Sequence, residues 1–404
     1  MIQILSSRVK RFERGNDIVL YNPFSQQLFF TDRDDIERIG EEDLMRLNSL
    51  DVRMEPPKLR KVRVEATFGC DSACDYCLVY GNPLEQLHTA MSMETARGII
   101  GFFNQNVREG SMMIIGGEPL TNWDVVEYLI DNIEGNAQLF TNAIKMSPKK
   151  AEFLARKGSR VYVSLDGMRR HNTHRRYHNG RETFDDTLKG YKMLQEAGIS
   201  PSITCLSTQT NVYDLDEIFD FFVEELGCRA MGISIPHHTE FSHLPFMQTD
   251  IHEYTSQMAG IFKKARRGGI FVDQIAKRLA PIIQGYFRPY ACKIAGEQVT
   301  FYPDGTQTLC TKLDTLPDFN GIKAEDLFNK TPYFDLTCQE CEAISTCGGG
   351  CFWDAYHDGS GHDIRDCYFT RQMLNVFLWD ISDFLKDRGM PITRDNLRKE
   401  YSVC

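Results

Sequence analysis

The sequence predicts an α/β fold, a partial (β/α)6 TIM-like barrel followed by a cysteine-rich C-terminal extension. From about residue 62, short β-rich runs alternate with helical patterns, the mark of βαβ units and a parallel sheet. At 404 residues the chain exceeds what one hydrophobic core usually serves, so more than one domain is expected. Its 13 cysteines are bunched: three fall between 70 and 77, seven between 292 and 367, and Cys205, Cys228 and Cys404 stand apart.

The predicted strands are 62–67, 112–115, 138–141, 160–166, 202–207 and 230–235, with helices over 93–106, 123–132, 149–156, 183–197, 215–225 and 254–266 between and after them. Ser147-Pro148 opens the third helix, and Gly158 and Gly198 follow the third and fourth. Six units are too few for a closed eight-stranded barrel, which leaves an open barrel with its chemistry at the strand C-termini. Residues 1–58 form a separate region, a hairpin of 18–21 and 27–31 and then a short acidic helix. The barrel is assigned to 59–285, the cysteine-rich segment to 286–371, and the remainder, 372–404, to a closing helix and tail; that helix is drawn over 368–387, with apolar spacing at Met373, Val376, Phe377 and Ile381.

Apolar residues make up 42% and charged residues 25%, with no run apolar enough to cross a bilayer and no signal-peptide pattern at the N-terminus, so a cytoplasmic protein is expected. A net charge of -10 disfavours a nucleic-acid partner. In a large chain of this kind, clustered cysteines point to metal rather than to disulfides.

Cys70-x3-Cys74-x2-Cys77 falls directly after the first predicted barrel strand. Three thiolates hold three irons of a [4Fe–4S] cube and leave the fourth open to a small molecule. The alternatives are a zinc knuckle or incidental core cysteines, but structural zinc takes four ligands and no fourth Cys or His lies nearby in sequence.

These residues resemble the radical S-adenosylmethionine (SAM) superfamily, and further motifs follow in its order. Tyr76 matches the aromatic residue that contacts adenine. Gly116-Gly117-Glu118-Pro119, at the second strand's end, looks like the GGEP segment that binds the amino group of SAM. Ser164 and Asp166 end the fourth strand, where similar enzymes hold ribose and carboxylate, and Arg175 matches an arginine near the SAM carboxylate, although the usual acidic second position of 171–175 is Asn172. Taken singly, a Gly-Gly pair is usually a turn and an exposed Arg a solvated charge.

The second cysteine group runs Cys292-x12-Gly305-x4-Cys310, then Cys338-x2-Cys341-x5-Cys347-x3-Cys351, then Cys367. It resembles the SPASM extension of radical SAM enzymes, which implies two auxiliary clusters: an outer one on Cys338, Cys341, Cys347 and Cys367, and an inner one on Cys292, Cys310 and Cys351. The stretch 285–289 lacks the cysteine that completes the inner site in many relatives, so an open or unusually ligated inner cluster is expected. A pair of structural zinc sites is the alternative.

The resemblance implies an oxidoreductase that cleaves SAM and takes hydrogen from a ribosomally made precursor peptide or protein, forming a thioether or carbon–carbon crosslink. It implies three [4Fe–4S] clusters and a reductant such as flavodoxin or ferredoxin. The hairpin edge of residues 1–58 is expected to contact a leader peptide. A sulfatase-maturase-like oxidation of Cys or Ser to formylglycine is disfavoured, because that branch carries an aspartate base where this chain has Thr311, a far weaker base. A non-catalytic iron–sulfur electron-transfer or scaffold protein is the remaining alternative.

Overall fold

Parallel strands with one face against helices bury alternate residues deeply, and that alternation organises the computed structural model. It describes residues 8–49, 52, 56–79, 89–390 and 393–401, so the N-terminal Met1–Leu5 and Cys404 lie outside the described residues. The chain divides into two compact units, one of residues 1–56, 258–292 and 325–404, the other of 57–257 and 293–324.

The first unit opens with an antiparallel sheet of β1 (Lys10–Arg14), β2 (Asp17–Asn22) and β3 (Gln27–Asp32), ordered β1-β2-β3. The expected hairpin is β2–β3. The added strand β1 carries Lys, Arg and Glu around one Phe and so showed no apolar alternation. Ile18 and Leu20 of β2 pack with Ile36, Ile39 and Leu47 into a local core. The helix Ile364–Asp387 is pinned to this sheet by Arg14, which meets Asp383 and lies over Trp379 at 4.5 Å, and by Lys386 on Asp17 at 2.6 Å. That helix starts four residues before the expected 368. Asp363 caps it, accepting from the N–H groups of Arg365 and Asp366, so Cys367 sits in its first turn rather than in a loop.

The second unit carries β4 (Lys61–Glu65), β5 (Ser111–Ile115), β6 (Asn136–Thr141), β7 (Arg160–Ser164), β8 (Ser202–Leu206) and β9 (Ala230–Ser234), each parallel to the next. A two-residue strand, β10 (Phe271–Val272), belongs to the first unit. Two strands not expected from the sequence, β11 (Gln298–Phe301) and β12 (Gln307–Thr308), extend the sheet beyond β4, so that the order within the unit is β9-β8-β7-β6-β5-β4-β11-β12. Val62, Val64, Met112, Ile114 and Leu139 are fully buried, while Arg63, Met113 and Gln138 alternate with them on the opposite face. The helices between the strands begin as their sequences dictate: Ser92 caps Met93–Asn106, and Ser147 caps Pro148–Arg156 with Pro148 in the first turn. Predicted helix 215–225 is α-helical over Leu215–Asp220 and closes with a π-turn over Phe221–Glu225. Cys205 and Cys228 are both buried. Among the described residues no helix is long and apolar enough to cross a membrane.

Candidate metal and cofactor site

β4 ends one residue before Ala66, and the chain enters the loop of Cys70, Cys74 and Cys77 at the C-terminal edge of the parallel sheet. All three thiols are free and partly exposed. The glycines that end β5 exist for this loop. A Cβ on Gly116 would lie 2.1 Å from the Thr67 carbonyl oxygen, and one on Gly117 would lie 2.4 Å from that of Gly69. The approach lets the Gly117 N–H donate to Thr67 O at 2.7 Å and the Glu118 N–H to Gly69 O at 2.8 Å. Gly116 has a φ of 146°, which side-chain-bearing residues avoid.

A second segment holds the loop from the other side. The Ala73 N–H donates to Arg176 O at 2.7 Å, the Asp75 N–H to His174 O at 3.0 Å, and Ser72 bridges Tyr177. His174 Nδ1 meets Asp75 Oδ2 at 2.9 Å, and its ring stacks on Phe246 with centroids 4.1 Å apart. Burial pushes the Cys74 thiol up to about 12, and the Cys70 thiol is likewise raised by burial and by Glu118. A soft metal that binds thiolate displaces these protons, so the donor set fits an iron–sulfur cluster.

Around the loop lie two buried carboxylates. Glu118 accepts from Leu120 N–H at 2.9 Å, the Thr141 hydroxyl at 2.6 Å and Asn142 N–H at 2.7 Å, and burial raises its pKa to about 7. Asn142 then reaches Asp71 at 2.8 Å, whose other oxygen is buried without a partner among the described residues. Asp166 gathers two of the expected groups and one backbone donor: the Tyr76 hydroxyl donates to it, Arg175 Nε lies 2.9 Å away, and the Leu206 N–H is at 2.9 Å. The Arg175 guanidinium lies 5.4 Å from the Tyr76 ring centroid. Ser164, the last residue of β7, stands two residues earlier, its hydroxyl accepting from Thr204 at 3.3 Å. At Asn172, where similar enzymes carry an acid, the amide both accepts from Asp166 N–H at 2.9 Å and donates to Gly167 O at 2.7 Å. A carboxylate would only accept.

Cys310 follows β12 in this unit, and two residues on Lys312 donates to Leu78 O at 2.7 Å, beside Cys77. Burial lowers the Lys312 pKa. Lys312 and His174 are not singled out by the sequence. A lone Lys after a cysteine carries no signal, whereas Thr141-Asn142, ending the third strand, falls where similar enzymes hold the ribose and carboxylate of SAM.

In the first unit, Gly348, Gly349 and Gly350 all have positive φ. A Cβ on Gly348 would lie 2.4 Å from Ala291 N, and the Ala291 N–H donates to Gly348 O at 2.7 Å, which seats the chain before Cys292 on the Cys347–Cys351 segment. Cys338, Cys341, Cys347 and Cys367 are partly exposed and thiol-raised by burial, Cys338 up to about 12. Arg288, in the stretch without the expected cysteine, is bound by its N–H to Ser345 O at 2.9 Å and by its guanidinium to Thr346 O at 3.1 Å.

Residues 64–222 match the family model described as the Radical SAM superfamily. A relative from Paramaledivibacter caminithermalis, named radical SAM cyclopropyl synthase TigE, is 23% identical over 91% of this chain and 85% of its own length. The fold is similar to that of anSMEcpe, solved with AdoMet and a Cp18Cys peptide, at a TM-score of 0.65 and 18% identity over 81% of this chain and 99% of that one. It is also similar to Streptococcus suis SuiB bound to the precursor peptide SuiA, at a TM-score of 0.54 and 15% identity over 89% and 97%.

Proposed function

Because residues 64–222 match the Radical SAM superfamily model, we propose that this chain is a radical SAM enzyme and a peptide maturase, taking hydrogen from a ribosomally made precursor peptide and forming a crosslink within it. When bound, SAM and a reduced [4Fe–4S] cluster supply an electron and a carbon radical able to abstract hydrogen from unactivated C–H bonds. Cys70, Cys74 and Cys77 would hold that cluster. The observation that carries the reading is their loop, seated on Gly116 and Gly117 at the C-terminal edge of a parallel sheet with Glu118, Asp166, Arg175 and Tyr76 around it. Gly116, Gly117 and Glu118 would face the amino group of SAM, Ser164, Asp166 and Arg175 its ribose and carboxylate, and Tyr76 the adenine.

The remaining cysteines would hold two auxiliary clusters. Cys338, Cys341, Cys347 and Cys367 form the outer set, and Cys292, Cys310 and Cys351 the inner one. A peptide substrate is supported by the fold shared with SuiB and anSMEcpe, each solved with a peptide. The TigE likeness, along most of both chains, favours carbon–carbon bond formation over a thioether. For the leader, β3 offers an unpaired sheet edge, and a cavity of about 440 Å³ beside it is lined by Phe29, Phe30, Thr31, Asp35 and Arg38.

Anaerobic protein, reconstituted with iron and sulfide and given SAM and dithionite, is expected to release 5′-deoxyadenosine. With a short precursor peptide encoded beside its gene, the product is expected to lose the mass of two hydrogens, one carried off as 5′-deoxyadenosine and the other leaving as a proton to solvent and an electron to an auxiliary cluster. Full iron loading without 5′-deoxyadenosine would leave an electron-transfer or scaffold protein instead, and zinc at stoichiometry without iron would remove the cluster reading.

A further inference from the structure

The first unit places a nitrogen donor beside one outer-cluster thiol. One ligand atom each from Asp335, Cys338 and His362 lies within 4.8 Å of the others. His362 Nδ1 is buried and has no hydrogen-bond partner among the described residues. Leaving such an atom unpaired in a folded protein is costly, so a partner arriving with the bound cluster is the economical explanation.

The backbone holds His362 there. Its carbonyl accepts from Ser360 Oγ at 2.6 Å, and the next residue, Asp363, caps the helix Ile364–Asp387. Gly350 makes room for that cap, since a Cβ on it would meet Asp363 Cβ at 2.6 Å. Asp335 cannot relieve the thiolate. It is itself an anion, and its Oδ1 already accepts from the N–H groups of Thr337 at 2.8 Å and Cys338 at 3.3 Å. A carboxylate beside a cluster thiolate disfavours the added electron, and a donor N–H on the same sulfur opposes it.

We propose that His362, through Nδ1–H, donates a hydrogen bond to the Cys338 thiolate of the outer iron–sulfur centre and raises that centre's reduction potential. His362 is thus a positioning and tuning residue, neither an iron ligand nor a contact of SAM. The inference rests on the four-thiolate reading of the outer set given above.

The test is an EPR-monitored redox titration of anaerobically reconstituted full-length protein, with iron counted on the same samples. His362→Ala is expected to keep the wild-type iron content, to shift one auxiliary signal to lower potential and to leave the SAM-responsive signal in place. His362→Asn, which keeps an N–H at a similar reach, is expected to recover part of the shift. Wild-type iron with an unchanged potential in His362→Ala overturns the inference. Loss of iron in both variants overturns it too, by making His362 a ligand. Iron content that stays at the wild-type level in Cys338→Ala and in Cys341→Ala removes the four-thiolate reading itself.

Discussion

Gly116→Ala probes whether the cysteine loop is built on the glycine pair. The new Cβ would stand 2.1 Å from Thr67 O, against an ordinary contact of about 3.5 Å, so loop and strand end must part by more than about 1 Å. Two hydrogen bonds, Gly117 N–H to Thr67 O and Glu118 N–H to Gly69 O, span that gap and are lost or stretched. Overpacking costs about 1–3 kcal/mol and a side chain at a φ of 146° about 1–3 kcal/mol more, so the loop is destabilised by about 4 kcal/mol. Gly15→Ala is the control: its φ is 62°, nothing lies within 4 Å of its Cβ, and it loses only about 1 kcal/mol. Iron content and SAM-dependent EPR are measured on both anaerobic variants, with circular dichroism for folding. Gly116→Ala is expected to fold but to lose one cluster's iron and the SAM-dependent signal, while Gly15→Ala keeps both. Full iron and a normal SAM response in Gly116→Ala would refute the packing argument.

Glu118 makes stability fall with pH. Its folded pKa, raised by burial to about 7 from 4.5, means that between those values the folded chain keeps a proton the unfolded chain has lost, so stability present below pH 4.5 is lost as pH rises through about 7, in total about 3 kcal/mol. Glu118→Gln should flatten that slope in anaerobic thermal unfolding; parallel profiles would count against it. Asp166→Asn strands the Arg175 cation, whose side chain is 14% exposed, and is expected to cost about 3–5 kcal/mol in denaturant unfolding, with Asp166→Asn/Arg175→Met recovering part of it. Phe30→Asp on the β3 edge is expected to weaken precursor-peptide affinity by tenfold or more (about 1.4 kcal/mol) without changing iron content or 5′-deoxyadenosine release; unchanged affinity would remove β3 as the docking edge.

Local periodicity and capping carried most of the barrel. The helix Met93–Asn106 needed only Ser92 and its own apolar spacing, and β5 to β9 only their alternation. β11 was not legible, because four residues become a strand only through pairing with β4, where Thr300 meets Arg63. β1 escaped for the same reason, its charged residues being tolerated on an edge. The Asp363 cap was readable in principle, but cysteines on both sides drew that stretch into a loop.

By itself the sequence determined the order of parallel units, the three-thiol loop after the first barrel strand and the cysteine content of the extension, because spacing and alternation are local properties of the chain. Only the tertiary structure decided why Gly116 and Gly117 are glycines, that Tyr76, Arg175 and Leu206 converge on Asp166, and that His362 lies beside Cys338. Those are contacts between segments remote in sequence, and burial and distance, which set their strength, exist only once the chain has folded.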